Sequence, residues 1–246
     1  MKRYGMSVII AENAREASLV VLEQLLNQLA ENKRSSLALP TGETPKLLYS
    51  ILARPPKKKR ADFSSAIFFQ LDEFVGIKKE DKRSFNLYLE KRLFSKQNFL
   101  RKNIHMFNCA SKNPEKDCTD YEKVISKTGI DFCLLGLGEN GHIAFNEPGS
   151  KMNSKTRVIS LAESTVNSKP KMFSNPVPEK AFTIGVATIM RSKKIVVFAT
   201  GKKKARAVAF AIKSKTISDA KKCPLASLNY HKNTVLIVDK KAAALL

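Results

Sequence analysis

A doubly wound, Rossmann-like α/β fold, with a mostly parallel sheet and helices on both faces, is what this sequence predicts. Short apolar runs alternate along the chain with segments of helical periodicity, which is the βα pattern of such folds. Polar, glycine-punctuated turns follow several of the apolar runs, and the carboxyl ends of strands are where open α/β sheets assemble their sites. No internal repeat or low-complexity linker interrupts the pattern, so the 246 residues read as one domain, 1–246. With 43% hydrophobic residues, a chain of this length can bury a full core in that form.

Taken in order, Ser7 to Ile10 opens as a strand. Ala14 to Ala30 follows as a helix, with Ala14, Ala17, Val21, Leu22, Leu25 and Leu29 at helical spacing. Ser36 to Pro40 is the next strand. Thr41-Gly42-Glu43-Thr44 then turns into a helix begun by Pro45, since proline is favoured at the first helical position. Ala66 to Leu71 is a third strand and ends on Asp72-Glu73. Ser84 to Phe94 reads as helix, Ile104 to Phe107 as strand and Pro114 to Ser126 as helix. Phe132 to Gly138 is a continuous apolar run of the kind buried in parallel sheets. Beyond it, Arg157 to Leu161, Ala181 to Val186, Ile195 to Thr200 and Thr234 to Asp239 are strand candidates, with a helix from Lys202 to Lys213.

The net charge of +22 brings nucleic acid into the list of partners to weigh. Its distribution argues against one. The lysines are scattered, with small clusters only at Lys57-Lys58-Lys59-Arg60 and Lys202-Lys203-Lys204, and no aromatic-interleaved RNA-binding pattern accompanies them. A lysine bias of the whole proteome explains the charge equally well, and Pro56 to Arg60 reads as a solvated loop. No apolar stretch approaches a membrane span, and Met1 to Ile10 holds too few apolar residues for a signal-peptide core. A soluble, cytoplasmic protein with no membrane partner is expected. Cys109, Cys118, Cys133 and Cys223 form no C-x-x-C pair and read as reduced packing residues. His105, His142 and His231 lie far apart in sequence, so no metal is expected.

The run Gly138-Glu139-Asn140-Gly141-His142-Ile143-Ala144-Phe145-Asn146-Glu147-Pro148 places an imidazole, an amide and a carboxylate in a glycine-punctuated turn after an apolar strand. His142 can take and return a proton near neutral pH, and Glu147 can orient the ring if the chain doubles back after Phe145. Three further clusters follow strands. Thr41 to Thr44 leads into a helix N-terminus able to hold phosphate on backbone N–H groups, or is an ordinary turn capped by Thr44. Asp72-Glu73 sets at least one carboxylate over the same edge, where it can move a proton between adjacent carbons of a sugar or cap a helix. Lys202 to Lys204 puts cations at a helix start, against the helix dipole, which favours a bound anion nearby.

Together LPTGETP (39–45), LDEFVG (71–76), GENGHIAFNEP (138–148) and TGKKKA (200–205) resemble the glucosamine-6-phosphate deaminase family in order and spacing, over nearly the whole chain. The NGHIAFNEP stretch separates the chain from the related 6-phosphogluconolactonases. The resemblance implies conversion of glucosamine 6-phosphate to fructose 6-phosphate and ammonia in amino-sugar catabolism, without cofactor, by an enzyme classed as a hydrolase. It assigns ring opening to His142, support to Asn140 and Glu147, and the carbon-2 proton to Asp72. Substrate phosphate falls to Thr41, Gly42, Glu43, Thr44, Lys171 and Lys204. Lys171 stands where the family's phosphate arginine is expected and lacks its planar, bidentate fork. Glu43 must face outward, or substrate selectivity has changed, because a carboxylate about 8 Å from phosphate costs roughly 2 kcal/mol at an effective dielectric of about 20. The short segment after Asp239 implies a non-allosteric monomer or small homo-oligomer. The alternatives are a 6-phosphogluconolactonase, an isomerase of another amino-sugar phosphate, or a sugar-phosphate-sensing domain.

Overall fold

The computed structural model describes residues 1–55, 60–161 and 178–246. Ten strands occur among them: β1 (Ser7–Ala11), β2 (Ser36–Leu39), β3 (Ile67–Gln70), β4 (Asp72–Phe74), β5 (Ile104–His105), β6 (Phe132–Gly136), β7 (Arg157–Ser160), β8 (Lys180–Thr183), β9 (Lys194–Ala199) and β10 (Thr234–Asp239). The helices are α1 (Ala14–Glu31), α2 (Pro45–Ala53), α3 (Phe85–Arg92), α4 (Pro114–Thr128), α5 (Val186–Ile189), α6 (Ala205–Lys213) and α7 (Ile217–Lys222).

Seven strands form one sheet in the order β1-β10-β9-β6-β2-β3-β5. Every neighbouring pair in it is parallel. The side chains of its central strands alternate between two cores. In β9, Ile195, Val197 and Ala199 enter the core that includes Tyr121 and Ile125 of α4 and Val208 of α6. Val196 and Phe198 enter the opposite core, with Val21 and Leu25 of α1 and Leu48 and Tyr49 of α2. β6 divides in the same way, Cys133 and Leu135 to one face and Phe132 and Leu134 to the other. Successive residues of a strand point to opposite faces, so covering both faces requires an unbroken apolar run. Burying each such side chain contributes about 1.5–3 kcal/mol.

The helix boundaries follow local chemistry. The Asn13 side chain accepts from the Arg15 and Glu16 N–H groups at 2.9 and 3.0 Å and starts α1. Asn113 does the same for α4 through Lys116, ahead of Pro114. Gly129, at φ +78°, closes α4, in a left-handed conformation that favours glycine. Leu48, Tyr49, Ile51 and Leu52 give α2 its buried side.

Two expected strands and the end of a third do not join the main sheet. β4, β8 and β7 form a separate antiparallel sheet in that order. β4 is the Asp72-Glu73 segment itself, which the sequence presents as the end of the third strand. The expected strand Ala181 to Val186 stops at Thr183, because Val186 to Ile189 turns as α5. Under the small sheet lies a third cluster, with Phe74, Ile77, Phe85, Cys109, Phe145 and Ala181. All four cysteines are buried free thiols. Burial pushes Cys118 and Cys133 up to about 12, so neither is a thiolate near neutral pH. Among the described residues no helix is long and apolar enough to cross a membrane.

One buried carboxylate fastens the small sheet to the large one. Glu122 of α4 accepts from the Thr156 N–H and hydroxyl, from the Thr188 hydroxyl at 2.9 Å, and from the Arg191 guanidinium. Burial pushes this carboxyl up. The four donors outweigh that effect and hold it below the ordinary glutamate value. Its stabilisation is therefore complete above about pH 4.3 and is lost as pH falls through the lowered folded value. Glu122→Gln is expected to cost about 2 kcal/mol at pH 7, and its thermal midpoint should then fall less steeply than the parent's between pH 4.5 and 3. Parallel pH profiles of the two proteins in thermal melts would disprove this linkage.

Candidate active site

The four sequence clusters meet because of strand order. β9, β6, β2 and β3 are consecutive in the sheet, and the segments that follow them carry Lys202 to Lys204, the histidine loop, Thr41 to Thr44, and Asp72 at the start of β4. From β2 the chain builds outward through β3 to β5, and from β6 it builds the other way through β9 to β10. The direction of winding reverses between β2 and β6. At such a switch point the loops diverge and leave a crevice over the carboxyl ends.

The loop after β6 is held by its own backbone. Gly138 N–H donates to the His142 carbonyl at 2.9 Å, and Gly141 N–H donates to the Gly138 carbonyl at 3.2 Å. A methyl group on Gly138 would fall 2.3 Å from the imidazole, and one on Gly141 would fall 2.3 Å from the Cys223 sulfur. Glycine is required at both positions by close approach. Gly141 also sits at φ +88°, and Ala144 holds φ +50°, an unusual backbone for a residue with a side chain. Asn146 rewards that strain: its amide donates to the Ile143 and Ile184 carbonyls at 3.0 and 2.9 Å. Arg157 Nη1 donates to Asn146 Oδ1 at 2.9 Å.

Chain reversal brings Glu147 back to the imidazole. Glu147 Oε1 lies 3.3 Å from His142 Nδ1, and Oε2 accepts from Asn140 Nδ2 at 2.6 Å. Asn140 Oδ1 accepts from the His142 N–H at 3.2 Å. Asn140 thus bonds to both partners, and Glu147 is the carboxylate beside the ring. His142 Nδ1 is buried, and its contact with Glu147 is off-line for a hydrogen bond. The side chain as a whole keeps 27% of its surface exposed, so the ring has one side in solvent.

The acidic pair splits between two jobs, because neighbours on a strand face opposite ways. Glu73 is fully buried. It accepts from the N–H groups of Phe85 and Asn86 at 3.1 and 2.7 Å and from the Ser84 hydroxyl at 3.0 Å, at the N-terminus of α3. Burial pushes its carboxyl up, against these donors. Asp72 pairs across the small sheet with Thr183. The Thr183 hydroxyl accepts from Phe145 N–H at 3.1 Å, in the histidine loop. One threonine therefore touches the strand of Asp72 and the loop of His142. Phe145 also packs on Phe74 and Phe85, with ring centroids 5.4 and 5.9 Å apart.

In the loop after β2, Gly42 has φ +101°. Thr44 makes no side-chain cap to α2, so the capping alternative fails. The Glu43 side chain is 79% exposed and paired with Lys46 at 2.5 Å, facing outward. After β9, the Gly201 N–H donates to Asp239 at 2.9 Å. Lys202 and Lys203 are exposed, and Lys204 is half-buried. Lys203 lies 3.6 Å from Glu139, a surface pair that joins two of the loops weakly. Lys171 lies outside the described residues. Among the described residues no group of three or more His, Cys, Asp or Glu could hold a metal ion. Sequence reasoning missed Thr183, Asn146 and Arg157 as supports of the loop. Their polarity within apolar or glycine-rich segments was the available signal.

A family profile described as glucosamine-6-phosphate isomerases/6-phosphogluconolactonase matches residues 10–237. The chain is 38% identical over 244 residues to a glucosamine-6-phosphate deaminase of Thermoanaerobacter sp. (strain X514), covering 98% of this chain and 95% of the relative. It is 36% identical to one of Oceanobacillus iheyensis, covering 96% and 95%. A solved monomeric glucosamine-6-phosphate deaminase superposes with a TM-score of 0.92 at 31% identity, covering 98% of this chain and all of that one. A 6-phosphogluconolactonase of Trypanosoma brucei shares the fold, with a TM-score of 0.79 at 20% identity over 99% of both chains. These names correct the expected class of hydrolase: the profile names isomerases and the relatives are deaminases. The chemical reason is that an amino aldose releases its nitrogen only after an internal proton transfer has isomerised carbons 1 and 2.

The methyl group of Gly138→Ala would displace the His142 ring. It is expected to lower kcat at least tenfold while leaving the thermal midpoint within a few degrees, read by turnover beside a melt. An unaltered kcat would show that Gly138 does not set the ring position.

Proposed function

Because the chain belongs to the family of glucosamine-6-phosphate isomerases and 6-phosphogluconolactonases, we propose that it converts glucosamine 6-phosphate to fructose 6-phosphate and ammonia, in amino-sugar catabolism. The observation that carries the reading is the Asn140, Glu147 and His142 constellation, joined through Phe145 and Thr183 to the strand of Asp72. It supplies two proton-transfer groups with different environments at one sheet edge.

His142, its charge balanced by Glu147, moves the proton between the ring oxygen and the carbon-1 hydroxyl as the pyranose opens. Asp72 takes the carbon-2 proton of the open chain as the substrate's ammonium gives a proton to the carbon-1 oxygen, leaving an enolamine across carbons 1 and 2. It returns the proton to carbon 1, and the carbon-2 amine becomes an imine. Water takes the place of nitrogen at carbon 2, and ammonia leaves. The substrate phosphate rests on the backbone N–H groups of Thr41 to Thr44 at the positive end of α2, and Lys204 adds a cation from the next loop but one. Lys171 completes this anion site in the proposal. The chain works as one domain, 1–246, in the cytoplasm, as a monomer or small homo-oligomer.

The deciding measurement is ammonia release from glucosamine 6-phosphate, with galactosamine 6-phosphate and 6-phosphogluconolactone run alongside. Ammonia from the first substrate is expected, whereas lactone turnover without ammonia release would overturn the reading. Asp72→Asn should lower kcat by about a thousandfold with KM within a few-fold, since it removes the base and keeps the shape. Retention of most of kcat would reject Asp72 as the base. Glu43→Gly should change KM by less than about threefold, under roughly 0.7 kcal/mol, because the side chain faces solvent. A tighter KM by tenfold or more would place that carboxylate against the phosphate.

A further inference from the structure

Two tyrosines from different helices grip the loop after β2 by its carbonyls. The Tyr49 hydroxyl on α2 donates to the Pro40 carbonyl at 2.6 Å, and the Tyr88 hydroxyl on α3 donates to the Gly42 carbonyl at 2.7 Å. The two rings meet edge to face, with centroids 6.2 Å apart. Burial pushes both phenols up, so both hydroxyls keep the proton they donate at any working pH. In a trans peptide the C=O of one residue and the N–H of the next point in opposite directions. Holding the Pro40 carbonyl therefore aims the Thr41 N–H the other way, and holding the Gly42 carbonyl does the same for the Glu43 N–H. Among the described residues, the N–H groups of Thr41 and Glu43 donate to no backbone or side-chain acceptor within the protein. Successive N–H groups aimed to one side make an anion-binding concavity.

We propose that Tyr49 and Tyr88 are positioning residues for the substrate's phosphate: their hydroxyls fix two peptide planes so that the Thr41 and Glu43 N–H groups converge on the anion. This rests on the reading of the Thr41 to Thr44 loop as the phosphate site. It also extends that reading. Tyr88 stands one turn along α3 from Phe85 and Asn86, whose N–H groups are held by Glu73, next to Asp72. One short helix thus spans from the strand of the proposed base to the phosphate loop and sets the spacing between them. Carbons 2 and 6 of the substrate must fit that spacing.

The test uses Tyr88→Phe, with Tyr49→Phe as the second variant, and reads KM, kcat and the competitive inhibition constant of inorganic phosphate. Each variant keeps its ring and loses only the hydroxyl. For each, KM for glucosamine 6-phosphate and the inhibition constant of phosphate should rise together by about five- to tenfold, with kcat within about threefold. A lower thermal midpoint with both constants unchanged would assign the hydroxyls to stability alone and overturn the proposal. Competition by phosphate in the parent enzyme tests the underlying reading separately. If phosphate does not compete there, the loop is not an anion site and both ideas fall; if it competes equally in parent and variants, only the tyrosine proposal falls.

Discussion

Covering both faces of a parallel sheet leaves its ends as the places where polar chemistry can happen. In this molecule the central strands β9, β6 and β2 are packed on both sides, so a charged side chain within them would be stranded in one core or the other. Functional groups are pushed to the turns that follow the strands, and because the strands are parallel these turns share one edge. The winding reverses between β2 and β6, so the loop that begins at Thr41 and the loop that begins at Gly138 flank the switch point at which open α/β sheets bind their ligands.

Loops at such an edge need support, and here it comes from the small antiparallel sheet. Thr183 meets Asp72 on one side and Arg157 on the other, and its hydroxyl receives Phe145 of the histidine loop. Arg157 in turn reaches Asn146, whose amide satisfies two carbonyls. The left-handed backbone at Ala144 costs about 1–2 kcal/mol, which these bonds offset. The small sheet is itself held by the buried carboxylate of Glu122. The histidine loop is therefore backed, through the small sheet, by an ion pair between Glu122 of α4 and Arg191, which follows α5.

The acidic residues around the edge separate by environment. Glu147 serves the imidazole, Glu73 serves a helix N-terminus, Asp239 holds the backbone of Gly201, and Glu43 is turned into solvent by Lys46. In a chain of net charge +22, most of the carboxylates near the crevice are thus committed to internal partners, which leaves the edge suited to an anionic substrate.

Periodicity in the sequence was enough to place the apolar strands of the main sheet and the longer helices α1 to α4 and α6, though not the short α5 and α7, since burial on two faces demands unbroken apolar runs and burial on one face demands helical spacing. The glycine-punctuated run after β6 likewise held Asn140, His142 and Glu147, which the structure brings into contact. Local pattern could not say that β4, β7 and β8 leave the main sheet, because β4 finds its partner β8 about a hundred residues further along the chain. Nor could it separate Asp72 from Glu73, or show which way Glu43 turns, or find Thr183 and the tyrosine hydroxyls that grip Pro40 and Gly42. Those outcomes depend on which groups lie within hydrogen-bonding distance once the sheet has closed, and a bond of 3 Å between distant residues leaves no periodic trace in the chain that makes it.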